Sequence, residues 1–192
     1  MIIKTKRLIL RPFQKGDEFD LLEYLKEPCV NCFADMKINT FEEATKAINE
    51  RIEKQEFYFA IFLQSENKVI GEIDASVESS NFVSKINDTF SPCWMLNNNY
   101  KGKGYAYEAA VAFFDYLFNV KGARRIYAYT EDYNINSQKL CKKLGMRKEG
   151  EFKKFVVFIN DKNGNPVYEN TWQYAILKEE WKNKKILKNI IF

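Results

Sequence analysis

A chain of 192 residues with 46% apolar and 16% aromatic side chains can bury a sizeable core in one domain, which excludes a disordered protein. The net charge is only +4 and acidic and basic residues are interleaved, which argues against a nucleic-acid protein relying on a basic face. With no histidine, acid–base work is left to Asp, Glu, Cys, Tyr, Lys or water, and no resident metal is expected.

Residues 6 to 13, KRLILRPF, alternate as a strand, with Leu8 and Leu10 on one face and Arg7, Ile9 and Arg11 on the other. Gly16-Asp17 starts a helix with Asp17 as N-cap and Phe19, Leu21, Leu22 and Leu25 as its apolar stripe; Pro28 ends it. Thr40 and Glu43 form a capping box before a second helix, in which Phe41, Ala44, Ala47, Ile48 and Ile52 recur at helical spacing. Each helix should lie on a sheet. Two strand-like runs, Phe57 to Leu63 and Val69 to Val77, are joined by a loop short enough for a hairpin. The polar segment Glu78 to Asp88 reads as a loop, followed by a strand from Phe90 to Leu96.

The next helix, Tyr105 to Phe118, has small residues at its start (Ala106, Ala109, Ala110) and large ones at its end (Phe113, Phe114, Leu117), so its start can sit close to a sheet. Gly122 closes it, and Arg124 to Thr130 reads as a strand. A helix from about Asn134 to Leu144 is capped by Gly145. A β region opening at Met146 leads into the turn Asp161 to Pro166, and a strand returns over Val167 to Leu177. The order β-α-α-β-β-β-α-β-α-β-β is mixed α/β and departs from a regular βα series. One domain is expected over residues 1–181, with a basic, partly apolar tail over 182–192, packed or frayed. Lys4, Lys6 and Arg7 interrupt any leader-like start and no apolar run is of membrane-spanning length, so a cytoplasmic protein without membrane contact is expected. Cys29 and Cys32 form a CxxC, but Cys93 and Cys141 are isolated and cannot complete a four-thiolate zinc site; ordinary reduced thiols are expected.

The stretch from Ser91 to Ala110, SPCWMLNNNYKGKGYAYEAA, organises the rest: a strand, a glycine-containing loop and a helix start. Two glycines let backbone N–H groups approach a ligand, and the helix start adds unpaired donors and partial positive charge, which suits a phosphate or pyrophosphate. Lys101 and Lys103 add mobile positive charge. No Lys-Ser/Thr follows the second glycine, as a P-loop requires, and Tyr107 stands where the dinucleotide fingerprint has its third glycine.

Several segments recur in a familiar order: T-x-R-L-x-L-R at Thr5 to Arg11; Y-x-G-x-G-Y-A-x-E-A at Tyr100 to Ala109; N-x-x-S at Asn134 to Ser137; Lys143-Leu144-Gly145-Met146 with Glu149-Gly150; and Tyr174 to Leu177 with Glu180-Trp181. Together they resemble the GCN5-related N-acetyltransferase (GNAT) superfamily, and within it the ribosomal-protein alanine and serine N-acetyltransferases. The resemblance implies the GNAT fold, a mixed, mostly antiparallel twisted sheet of about seven strands flanked by helices. It implies acetyl-CoA as cosubstrate and acetyl transfer, by direct attack in a ternary complex, to a primary amine of a protein N-terminus or a small molecule. The chain would be a monomer or homodimer.

On matching positions, the loop of Lys101, Gly102, Lys103, Gly104, Tyr105 and Ala106 would hold the pyrophosphate through backbone N–H groups. Trp94, Met95 and Leu96 would pair with the pantetheine arm as an added strand, their end supplying an N–H to the oxyanion. Asn134 would hydrogen-bond the pantetheine region, and Ser137 would sit near the thioester sulfur or the phosphate-bearing arm. Many members carry a tyrosine general acid one helical turn after N-x-x-S; this chain has Cys141 there, leaving Ser137 as the substitute. The carboxylate expected after Glu149-Gly150 is replaced around Val156. Glu72 and Asp74, on one face of a central strand, are then the candidate bases, with Glu151 behind them. Asn99 stands where the superfamily often has Arg or Gln, and Glu108 would favour the loop through the helix dipole. A second reading is a GNAT module that binds or senses acetyl-CoA without turnover. A third, a nucleotide-phosphate enzyme, rests only on the Gly-Lys-Gly loop.

Overall fold

The computed structural model describes residues 1–54, 56–78 and 86–183. Part of the loop expected at Glu78 to Asp88 and nearly all of the tail expected at 182–192 lie outside the described residues. In chain order the elements are β1 (Ile3–Lys4), β2 (Leu8–Arg11), α1 (Glu18–Leu25), α2 (Phe41–Glu53), β3 (Tyr58–Leu63), β4 (Lys68–Val77), β5 (Thr89–Leu96), α3 (Tyr105–Asn119), β6 (Arg125–Glu131), α4 (Ile135–Leu144), β7 (Arg147–Asn160) and β8 (Pro166–Leu177), with 3₁₀ turns at Asn31–Met36 and Asn98–Tyr100. The strands form an open, mostly antiparallel sheet of eight, in the order β1-β2-β3-β4-β5-β6-β8-β7. Its parallel pairing joins β5 to β6 at Thr89–Arg125 and Phe90–Ile126. The eighth strand, against about seven expected, is β1; its two residues are too few to show an alternation, and it pairs with Leu10 and Ile9.

By contacts the chain divides into two compact units, the first comprising Met1–Ala75, Cys93–Ala112 and Val157–Val167, the second Ser76–Pro92, Phe113–Val156 and the chain from Tyr168 onward. In the first, Leu21, Tyr24 and Leu25 of α1 lie at helical spacing and pack with Ala44 and Ile48 of α2 against Ala60, Val69 and Met95 of the sheet. Phe19 departs from the expected stripe: it is 71% exposed and stacks on Phe41 with ring centroids 4.6 Å apart. Two residues before Leu21, it points about 200° round the helix from the buried face. Asp17 also departs from expectation. It stands at the N-cap position without a capping bond, its carboxylate taken by the Arg11 guanidinium in two 2.8 Å bonds. The bidentate, charge-assisted pair and the Gln14 N–H, which donates to Oδ2 at 2.9 Å, hold the carboxylate back from the helix start. At α2 the capping box is present: Thr40 Oγ1 accepts from Glu43 N–H at 3.1 Å, and the Glu43 carboxylate accepts from Thr40 N–H at 3.1 Å.

In the second unit Phe113, Phe114, Leu117 and Phe118 of α3 are fully buried, each apolar side chain contributing about 1.5–3 kcal/mol. Residues 178–183 are helical, and Trp181 packs on Phe114 and Phe118 while its indole N–H donates to Asp115 at 2.7 Å. Strands β6 and β8 pair antiparallel from Arg125–Leu177 to Glu131–Thr171. Gly145 ends α4 in the left-handed region (φ 85°), which a glycine adopts without a Cβ penalty.

Candidate active site

The loop after β5 is held by contacts that begin in the sheet. Gly71 of β4 is pressed so closely against β5 that a Cβ there would stand 2.2 Å from the Met95 carbonyl oxygen and 2.9 Å from Leu96 Cα. Only glycine permits that approach. Asn97 N–H donates to the Ile70 carbonyl at 2.8 Å, its side-chain amide donates to Glu23 at 2.8 Å, and its Oδ1 accepts from Asn99 N–H at 3.0 Å. The Tyr100 hydroxyl donates to Glu66, and this bond, with burial, pushes the phenol up to about 12.

Gly102 (φ 76°) and Gly104 (φ 82°) both take the left-handed conformation that turns the chain into α3. The helix ladder begins with Glu108 N–H to the Gly104 carbonyl at 3.1 Å, so the N–H groups ahead of it open the helix without an intrahelical acceptor. A Cβ built at Gly102 meets nothing within 4 Å, leaving approach to the backbone open. The Lys103 ammonium lies 5.0 Å from the centre of the Tyr100 ring. Arg7 braces the loop: its guanidinium donates to the Lys103 carbonyl at 3.0 Å, pairs with Glu108 at 2.6 Å and lies over Tyr105 at 4.4 Å. The Arg7 N–H and the Thr5 hydroxyl also donate to Glu108, at 2.8 and 2.7 Å. Thus the threonine and arginine of the opening motif bind a glutamate 101 residues on from Arg7. Burial works against the Glu108 charge, but the bonds from Thr5 and Arg7 outweigh it and hold its carboxyl below the usual range.

The candidate bases meet in a cavity of about 270 Å³ in the same unit. Glu72 and Asp74 both line it, with Cys32 and Cys93, and its remaining walls are Phe33, Met36, Tyr58 and Met95. The two carboxylates differ sharply. Glu72, 2% exposed, is bidentate with Arg51 at 2.8 and 3.0 Å and accepts the hydroxyls of Tyr24 at 2.9 Å and Tyr58 at 3.0 Å, so each oxygen is doubly engaged. The Asp74 carboxylate, half-buried, has no hydrogen-bond partner among the described residues. Burial first, then the Glu72 charge, raises its carboxyl to about 7 despite the opposing charges of Arg51 and Lys54. Burial also holds the Cys93 thiol well above its usual range, so it is neutral. Glu151 is exposed and held by Lys148 and Lys153, which pull its carboxyl down to about 2.

Along β5, Met95 is buried and faces the cavity, while Trp94 and Leu96 on either side of it are half-buried, as the period of two requires. Asn134 and Ser137 belong to the second unit. Asn134 is the N-cap of α4, accepting from Ser137 N–H at 3.2 Å and donating to Glu131 at 3.2 Å. Cys141, where many superfamily members have tyrosine, is fully buried, and its thiol is pushed up to about 12 by burial. Sequence reasoning missed Arg51, Tyr24, Tyr58 and Asn97. The one legible signal was Arg51, an arginine on the helix face of Ala44 and Ile48. Among the described residues no cluster of three His, Cys, Asp or Glu side chains could hold a metal ion, and no helix is long and apolar enough to cross a membrane.

The acetyltransferase (GNAT) domain model matches residues 7–147. The chain is 35% identical over 182 residues to the "uncharacterized N-acetyltransferase YnaD" of Bacillus subtilis, spanning 94% of this chain and 99% of the relative. It is 30% identical over 188 residues to the "probable N-acetyltransferase YjcK" of the same species, spanning 93% and 98%. The crystal structure of an acetyltransferase (GNAT family) from Bacillus anthracis is similar with a TM-score of 0.78 at 31% identity, spanning 93% of this chain and 99% of that one. By family model, relatives and fold, the chain belongs to the GNAT acetyltransferase family and is an N-acetyltransferase, acting by acetyl transfer to amines.

Proposed function

We propose that this N-acetyltransferase takes acetyl-CoA as cosubstrate and acetylates a primary amine by direct attack with both substrates bound, Asp74 being the group that accepts the amine's proton. The observation that carries the reading is the contrast within the cavity: Glu72 is fully hydrogen-bonded, whereas Asp74 is unpartnered and titrates near neutrality. A general base works best with a pKa near the working pH.

The loop suits the cosubstrate. Two left-handed glycines, open space at Gly102 and a helix start form a cradle for a pyrophosphate, with Lys101 and Lys103 beside it. Bound acetyl-CoA supplies a thioester whose acetyl carbon is taken by the amine nitrogen as the C–S bond breaks, CoA leaving as thiolate. The residues Lys101 to Ala106 hold the pyrophosphate through their N–H groups, and Trp94 to Leu96 offer main-chain groups along β5. Gly71 fixes the backbone of Met95 and Leu96, and with it the direction of any N–H donated there. Asp74 orients the amine and takes its proton in a cavity whose other walls are mostly apolar. Glu72, held by Arg51, raises the basicity of Asp74 without touching the amine. Asn134 keeps Ser137 at the first turn of α4, where the serine hydroxyl is the remaining candidate to hold the departing sulfur.

The test is thiol release from acetyl-CoA across pH with an amine panel. Wild-type kcat/KM should rise through a limb near pH 7, and Asp74→Asn should lower it about 10²–10⁴-fold, the range for a positioned acid or base. An unchanged limb in Asp74→Asn would remove Asp74 from the reaction. Thermal stabilisation by acetyl-CoA with no amine turned over would favour the binding module instead.

A further inference from the structure

We propose that the Asp74 cavity selects small apolar monoamines, a substrate class that rests on the acetyl-transfer reading above. Three features of the cavity carry this. First, its charges are accounted for unequally: Glu72 is consumed by Arg51, Tyr24 and Tyr58, so Asp74 is the single carboxylate left to meet a substrate. A polyamine entering the cavity would bring further ammonium groups for which no second carboxylate waits, and a buried unpaired charge is costly. Second, no lysine or arginine is among the described residues lining the cavity, and the Arg51 guanidinium is spent on Glu72. A free amino acid would carry its carboxylate into an apolar space without a counter-charge.

Third, the walls on which the rest of the substrate lies are Phe33, Met36 and Met95, together with the neutral thiol of Cys93 and the ring of Tyr58. The Tyr58 hydroxyl already donates its hydrogen bond to Glu72, so it presents an apolar face and no free donor. Thioethers and rings favour a hydrocarbon and adapt to its shape. A peptide amide placed there would leave an N–H and a C=O without partners. The cavity, about 270 Å³, has room for a short alkyl chain or a single ring beyond the amine.

The experiment uses the intact wild-type protein with acetyl-CoA and reads kcat/KM by thiol release. Butylamine, hexylamine and octylamine form one series; phenethylamine, spermidine, free methionine and an alanine-initiated peptide complete the panel. Each methylene buried should raise kcat/KM about fourfold until the cavity is full, so the alkyl series should climb from butylamine and then level. Hexylamine and phenethylamine should exceed spermidine, methionine and the peptide by at least about tenfold. A flat alkyl series, or spermidine, methionine or the peptide ranking first, overturns the inference while leaving acetyl transfer intact. Calorimetric binding of hexylamine in the presence of CoA is measured separately. Hexylamine that binds more tightly than butylamine but is never acetylated supports the pocket and overturns the transfer reading; hexylamine that neither binds nor reacts overturns the pocket. As a converse, Met36→Asp should place a second carboxylate in the half-buried wall and raise diamine turnover relative to hexylamine at least about tenfold.

Discussion

At Asp74 and Glu72 two carboxylates two residues apart on one strand have opposite fates. Glu72 is met by a helix arginine and two tyrosines and is a fully satisfied buried anion. Asp74 is left to face the cavity, and burial and Glu72 raise its carboxyl to about 7. The unfolded value is about 3.9, so between pH 4 and 7 the folded state holds the extra proton and stability falls as pH rises; above about 7 the cost is complete. That cost is on the order of 4 kcal/mol. Asp74→Asn should therefore raise the thermal midpoint at pH 8 by about 8–16 °C, change it little at pH 4, and remove activity. A lowered midpoint at both pH values would contradict the assignment. Glu72→Gln should behave oppositely, because it leaves the Arg51 guanidinium buried without a counter-charge. A loss of about 3–5 kcal/mol by urea titration is expected.

The contact of β4 with β5 and the turn into α3 are set by glycines of different kinds. Gly71 is needed for closeness: a methyl group at that position meets the Met95 carbonyl oxygen at 2.2 Å, so Gly71→Ala must push the end of β5 away. It should lower kcat/KM for every amine alike and destabilise the protein, with the two effects read by thiol release and urea titration. Gly102 is needed for its positive φ and for open access to the backbone. Gly102→Ala should weaken acetyl-CoA affinity at least about tenfold in calorimetry while costing only about 1 kcal/mol of stability. At α2 the capping box gives a calibration away from the site. Thr40→Ala should cost about 1 kcal/mol without altering KM.

For the molecule as a whole, binding of acetyl-CoA to the folded state alone should stabilise it by about 2.7 kcal/mol at 100 times the dissociation constant. In a chain of this length that corresponds to about 5–10 °C, with ATP and NAD giving no comparable rise. A rise with ATP but none with acetyl-CoA would contradict the loop assignment.

The amphipathic spacing of α1 and α2, the Thr40–Glu43 box, the glycines of the loop and the small-to-large gradient of α3 are written locally, in neighbours three or four residues apart. They fixed the elements and the loop from the sequence alone, and the ordered motifs named the family. What the sequence could not decide was which of two equivalent-looking carboxylates is free. That depends on Tyr24, Arg51 and Tyr58 arriving from three other elements, at separations of 48, 21 and 14 residues from Glu72. The pairing of Thr5 and Arg7 with Glu108 across more than 100 residues is of the same kind. Helix and strand periods report which face a residue occupies, but only the tertiary structure decides what waits on the other side, because charge partners are chosen through space.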